Sequence, residues 1–194
     1  MYKEQDAREG VAFVEEVLFE LSSHISLKTL ELNISLTKAS SLGLRSLLHC
    51  NGILERLVLT QFDDHEKIPT MVSVLAGLAQ NTCLKEVSFE TCSGETNATL
   101  TTAWTSMLQR NTSIKILDLR DSDYEENEDC ELCSAVAEGL VSNTTLETLY
   151  LPGMTDPEVF NGPVWEEALD RNHSLKKLSF SNCSITLEGF FLLY

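Results

Sequence analysis

Basic side chains are scarce in this chain: 14 Lys and Arg stand against 30 Asp and Glu, a formal charge of −16. That balance argues against an electrostatic grip on nucleic acid or on an anionic membrane surface, since both need clustered cations. Long apolar runs are missing as well. No stretch approaches the roughly 18–20 residues that a membrane-spanning helix needs. The segment Met1 to Gly10 is polar and acidic, without a basic region followed by an apolar one, so no secretory leader is expected. Closely spaced cysteines are nearly absent. Of Cys50, Cys83, Cys92, Cys130, Cys133 and Cys183 only Cys130 and Cys133 lie close together. Reduced thiols in the cytoplasm or nucleus are the expectation, with an organelle still open. The chain also lacks a nucleophile elbow, a phosphate loop and a paired-carboxylate motif. No enzyme activity, catalytic residue or cofactor is therefore expected.

What is present is a repeat. With 194 residues, 43% of them hydrophobic, the chain can bury a core. The pattern L-x-x-L-x-L recurs six times: Leu27/Leu30/Leu32, Leu54/Leu57/Leu59, Leu84/Val87/Phe89, Ile114/Leu117/Leu119, Leu146/Leu149/Leu151 and Leu175/Leu178/Phe180. Alternation at the last two apolar positions is the period-2 signature of a short strand with those side chains turned inward. A helix-period stripe precedes each strand. The stripes are Val11/Val14/Leu18/Leu21, Leu44/Leu47/Leu48, Met71/Val74/Leu75/Leu78, Leu100/Trp104/Met107/Leu108, Leu132/Val136/Leu140 and Trp165/Leu169. Helix then strand, repeated, requires parallel strands. The expected fold is an α/β solenoid of about six strand–helix repeats starting near residues 27, 54, 84, 114, 146 and 175. It would form one domain over 1–194, a short right-handed arc with a parallel inner sheet and outer helices. Five gaps at strand spacing make that sheet about 24 Å wide.

An Asn stands three residues before the first apolar position in five repeats: Asn51, Asn81, Asn111, Asn143 and Asn172; His24 holds that place in the first. Asn tolerates the left-handed conformation that ends helices, and this is the role expected of the column. Asn-x-Ser/Thr triplets occur at Asn33, Asn97, Asn111, Asn143, Asn172 and Asn182. The repeat accounts for three of them without invoking glycosylation.

The strings N-T-C-L-K-E-V, N-T-S-I-K-I-L, N-T-T-L-E-T-L and N-H-S-L-K-K-L resemble the ribonuclease-inhibitor-like class of leucine-rich repeats, from about residue 8 onward. The resemblance implies repeats of about 28–30 residues, each a strand plus a full helix. It implies little about function, because the class includes inhibitors, receptors, GTPase activators and actin-capping proteins. One departure stands out. The Asn or Cys usual three residues after the last strand Leu is here Ser35, Phe62, Cys92, Ser122, Met154 and Cys183, which fits twice.

Positions between the inward residues should line the concave face. Most are polar, but Val58, Ile116 and Tyr150 are apolar, with Arg56, Asp118 and Arg120 beside them. Tyr and Arg are enriched at binding hot spots, so these six residues form one candidate partner surface. Isolated apolar residues on a sheet face are also ordinary.

Charge is lopsided. No Lys or Arg occurs from Asp121 to Asp170, a span with 14 acidic residues, and the densest run is Asp121 to Glu131. Asp121, Asp123, Glu125, Glu126, Glu128, Asp129 and Glu131 form a second candidate surface, suited to a basic protein partner. A solvated loop is the plain alternative. Alternate acids there imitate a calcium loop, but Glu126 replaces its Gly and Leu132 its final Glu. Cys130 and Cys133 lack two further ligands at zinc spacing. His65 in Asp63 to Glu66 fits a polar loop, so no metal is expected.

A solenoid needs covered ends. Residues 6–23 are expected to be an N-terminal capping helix. The last repeat reads as incomplete, and Phe190, Phe191, Leu192, Leu193 and Tyr194 are expected to meet further sequence or a partner. The functional expectation is a non-enzymatic protein–protein interaction module, a scaffold or subunit of an intracellular assembly. The alternative is a regulator of a catalytic or cytoskeletal partner, similar to GTPase-activating or actin-capping repeat proteins.

Overall fold

The alternating apolar segments form strands, and each pairs with its equivalent one repeat away. A computed structural model of the protein describes residues 14, 16–23, 26–62, 66–90, 97–120, 129–151 and 163–180. The strands are β1 (Thr29–Leu36), β2 (Arg56–Phe62), β3 (Glu86–Phe89), β4 (Ile116–Asp118), β5 (Thr148–Leu151) and β6 (Lys177–Phe180). They lie in one sheet in sequence order, with every neighbouring pair parallel. The register places Leu30, Leu57, Val87, Leu117, Leu149 and Leu178 in a single column. Between the strands run α2 (Lys38–Cys50), α3 (Lys67–Leu78), α4 (Ala98–Arg110), α5 (Asp129–Leu140) and α6 (Pro163–Arg171). A further helix, α1, covers residues 16–22. The result is an α/β leucine-rich-repeat solenoid.

One continuous core joins the strand columns to the helix stripes. Leu44, Leu47, Leu48, Met71, Val74, Leu75, Leu78, Trp104, Met107, Val136 and Leu140 are all buried, as their spacing predicts. Ala135, Ala137 and Ala168 join them. Aromatic rings cross the middle: Phe62 lies 6.3 Å from Phe89, and Phe89 meets Trp104 edge-on at 5.2 Å. Each such buried side chain contributes about 1.5–3 kcal/mol.

Local chemistry starts the helices. Thr37 caps α2 in a reciprocal box with Ser40. Asn97 caps α4 by accepting from the Thr99 and Leu100 amides. Glu66, at the start of α3, reaches one repeat back, where its carboxylate accepts the Lys38 amide at 3.0 Å. Helix contacts tighten where glycine stands. A Cβ on Gly139 of α5 would lie 2.6 Å from the Leu108 Cβ of α4. One on Gly77 of α3 would lie 3.3 Å from the Arg45 Cα of α2.

The asparagine column departs from the left-handed role expected of it. Asn51 has φ −82° and ψ 115°, and Asn111 has φ −73° and ψ 131°, both extended. The reason lies in the side chains, which form a ladder, buried at Asn51, Asn81, Asn111 and Asn143 and half-buried at Asn172. The Nδ2 atoms of Asn51, Asn81, Asn111, Asn143 and Asn172 donate to the carbonyls of Leu21, Leu48, Leu78, Leu108 and Leu140, the last turns of the preceding helices. Each Oδ1 accepts amides two or three residues on, such as Ser113 and Ile114 at Asn111. Helix ends leave carbonyls without intrahelical partners. Here the next repeat satisfies one at each step.

Candidate functional site on the sheet face

Outward strand residues fall into rows because the register is regular. One row holds Thr29, Arg56, Glu86, Ile116, Thr148 and Lys177; the next holds Glu31, Val58, Ser88, Asp118, Tyr150 and Ser179. Five of the six expected concave residues lie in these rows, and Arg120 stands just past β4 against Asp118; together they do not form one patch.

Arg56 sits centrally over β1 to β3. Its Nη1 donates to Glu31 at 3.1 Å and its Nε to Glu86 at 2.9 Å. Hydrogen bonding to Glu86, then that carboxylate's charge, raises the guanidinium pKa further above an already high value, and Glu31 adds to this. Beside it stands Val58, between Glu31 and Ser88. Val58 is only 3% exposed, which corrects its reading as an exposed apolar residue. Alternation along a strand tells which face a side chain takes, not what stands over it. Val58 is small, and its in-sheet neighbours lie about 5 Å away on each side.

The second cluster lies over β4 to β6. Asp118 accepts two hydrogen bonds from the Arg120 guanidinium, from Nε at 3.0 Å and from Nη2 at 2.6 Å. That fork holds the Arg120 Cζ over the Tyr150 ring, 4.1 Å from its centroid. From the other neighbouring strand, the Lys177 ammonium lies 4.8 Å from the same centroid and donates to the Tyr150 hydroxyl at 3.1 Å. Tyr150 and Ile116 are half-buried, while Arg120 and Lys177 are exposed. The ring's negative face attracts both cations. The ring is pre-positioned, so little side-chain entropy remains to be lost when a partner arrives. Lys177 occupies an outward position, but the register pairs it with Thr148, so its reach across to Tyr150 shows only in the side-chain contact.

The acidic surface falls mostly outside the described residues. That holds for Asp121, Asp123, Glu125, Glu126 and Glu128, and for the side chain of Asp129. Glu131 is described and exposed. With Glu138, one helical face along α5, it borders a cleft of about 550 Å³ between α4 and α5, floored by Thr101, Thr102, Thr105 and Ala135. The terminal run Phe190, Phe191, Leu192, Leu193 and Tyr194 also lies outside the described residues, as does His65. Cys133 is fully buried in the core. Among the described residues, no three His, Cys, Asp or Glu side chains are grouped to hold a metal, and no helix is long and apolar enough to cross a membrane.

One charged group lies away from the expected surfaces. Glu147, just before β5, accepts from Lys115 and from Lys176, each at 2.7 Å. Hydrogen bonds from Lys115 and then Lys176 lower its pKa to about 2. The signal was in the sequence: position two of L-x-x-L reads Lys28, Glu55, Lys85, Lys115, Glu147, Lys176 down the six repeats.

No protein-family model matches the chain, and no curated protein matches it. Among solved structures it is similar to actin-binding site 2 of leiomodin-1, at 16% identity and a TM-score of 0.47, over 93% of this chain and 85% of that one. It is also similar to the C-terminal domain of tropomodulin from Caenorhabditis elegans, at 11% identity and a TM-score of 0.47, over 94% of this chain and 88% of that one.

Proposed function

We propose that this protein is a non-enzymatic protein-binding module of the ribonuclease-inhibitor-like repeat type, engaging its partner through the face of the sheet. The observation that carries this reading is Tyr150, held by Arg120 from one side and Lys177 from the other on an accessible face. An aromatic ring with pre-oriented arginine is the composition that dominates interface energetics. Ile116, one strand over and half-buried, extends the apolar contact. Arg56, tied to two carboxylates, supports the face more than it reaches for a ligand. The acidic run Asp121 to Glu131 is proposed as a second contact for basic groups of the same partner. Residues 6–23 are proposed to cap the first repeat; Leu18, buried at 1% exposure, supports this.

The alternative is a regulator of a cytoskeletal or catalytic partner. One solved structure similar to this chain is an actin-binding site of leiomodin-1. At this distance the likeness sets the order of the tests and not the conclusion. The first test is therefore filament co-sedimentation and end-capping with actin, wild type against the Arg120→Ala/Tyr150→Ala double variant. If actin does not bind, partners captured from the native source are compared between the same two proteins. The double variant should lose at least about 2 kcal/mol of binding. A captured partner that binds both proteins equally would remove the sheet face from the mechanism.

A further inference from the structure

We propose that the edge of the sheet where the chain enters its strands binds a phosphate-type dianion between Lys85 and Lys115. The loops that leave α3, α4, α5 and α6 build a cavity of about 340 Å³ there, bordered by Lys85, Thr112, Lys115, Thr144, Glu147, His173 and Lys176, among others. The column that precedes the strands is mostly paired. Lys28 meets Glu55 at 2.8 Å, and Glu147 meets both Lys115 and Lys176. Lys85 is the exception: among the described residues it has no ion-pair partner, because its acidic neighbour Glu55 is engaged by Lys28. On its other side stands Lys115, whose amide donates to the Lys85 carbonyl at 2.8 Å. Two like charges side by side on adjacent strands are unfavourable, unless something of opposite charge lies between them.

The charge count gives the ligand's class. Three lysines and one glutamate leave the cavity two positive charges in excess, in a chain whose formal charge is −16. A phosphomonoester carries about −1.5 to −2 at neutral pH, whereas a single carboxylate carries one charge. Donors are available. An ammonium has three N–H groups, and Lys115 spends one on Glu147. The Thr112 and Thr144 hydroxyls and the His173 ring have no hydrogen-bond partner among the described residues and border the same cavity. By contrast, the Ser113, Thr145 and Ser174 hydroxyls are all committed to backbone carbonyls of the preceding repeat. The cavity is larger than one phosphate, leaving room for the group that bears it. The same chemistry is offered by a free phosphate metabolite and by a phosphorylated side chain.

The test is an amide-shift titration of the 194-residue chain with inorganic phosphate and with O-phosphoserine, at constant ionic strength set by sodium chloride. Saturable shifts at Lys85, Thr112 and Lys115 are expected. In Lys85→Gln/Lys115→Gln the dissociation constant should rise about tenfold or more. Lys38→Gln, an exposed lysine at the start of α2 that does not border the cavity, should leave it unchanged, and circular dichroism checks that both variants fold. Tighter binding of O-phosphoserine would support the site and name a phosphorylated peptide as its source; tighter binding of inorganic phosphate would support it with a free metabolite. Non-saturating shifts, or a dissociation constant unmoved in the double variant, would overturn the proposal.

Discussion

The side-chain amide of Asn111 donates to the Leu78 carbonyl at 2.6 Å, joining residues 33 apart in sequence. The same nitrogen donates to the Asn81 carbonyl at 3.1 Å, while its oxygen accepts the Ser113 and Ile114 amides. One buried side chain thus ties a helix end, the neighbouring rung and its own loop together.

Asn111→Ala should therefore cost about 3 kcal/mol, because it strands buried backbone donors and acceptors that water cannot reach. Asn111→Asp should do no better at neutral pH, since it keeps the acceptor but turns a charged oxygen toward two carbonyls. Urea denaturation would show a lower midpoint with an unchanged slope. A loss below about 0.5 kcal/mol, the range of an ordinary surface change, would contradict the ladder's role. The same burial closes the Asn111 and Asn143 sequons to glycosylation in the folded chain, at 4% and 5% exposure.

Gly139→Ala should destabilise by about 1–3 kcal/mol despite alanine's better helix propensity. The new methyl would meet the Leu108 Cβ at 2.6 Å. Trimming that residue to Leu108→Ala leaves its Cβ in place, so the double variant should show no rescue. Thermal unfolding of the four proteins checks this; recovery in the double variant would mean that the helices part easily.

Glu147 should titrate near pH 2 in the folded chain, against 4.5 for a free glutamate. A depressed folded-state pKa means its contribution is fully present above about pH 4.5 and is lost as pH falls toward 2. The pair is solvent-exposed, so salt should shrink the effect. Carboxyl NMR would follow the titration. In Lys115→Gln/Lys176→Gln the pKa should climb back toward the ordinary range; a value unchanged by that variant would assign the shift to another cause.

Arg120→Ala and Tyr150→Ala should couple by about 0.5–1 kcal/mol in a double-mutant cycle on stability, the worth of an exposed cation–π contact. Additive losses would mean that the ring contact adds nothing to the fork with Asp118.

Much of the fold was legible because it is periodic. The spacing of Leu57, Val87, Leu117 and Leu149 named the strand columns, and the stripe Leu100/Trp104/Met107/Leu108 named a helix face; both are buried as spaced. The asparagine column was equally visible, but its conformation was misread. A backbone preference is local, whereas the partner of Asn111 lies on another helix. Val58 shows the same limit on the sheet face: its side of the strand was readable, its cover was not. Tyr150 and Arg120 were both singled out, yet Lys177, which completes their cluster, emerged only with the side-chain contacts, since the register pairs it with Thr148.

By itself the sequence determined the repeat, the parallel order of its elements and the side each residue takes, because these follow from backbone periods of two and 3.6 residues. Tertiary structure alone decided which asparagine met which carbonyl and that Val58 lost its water. Those outcomes depend on distances between residues about 30 positions apart, which only the stacking of one repeat on the next sets.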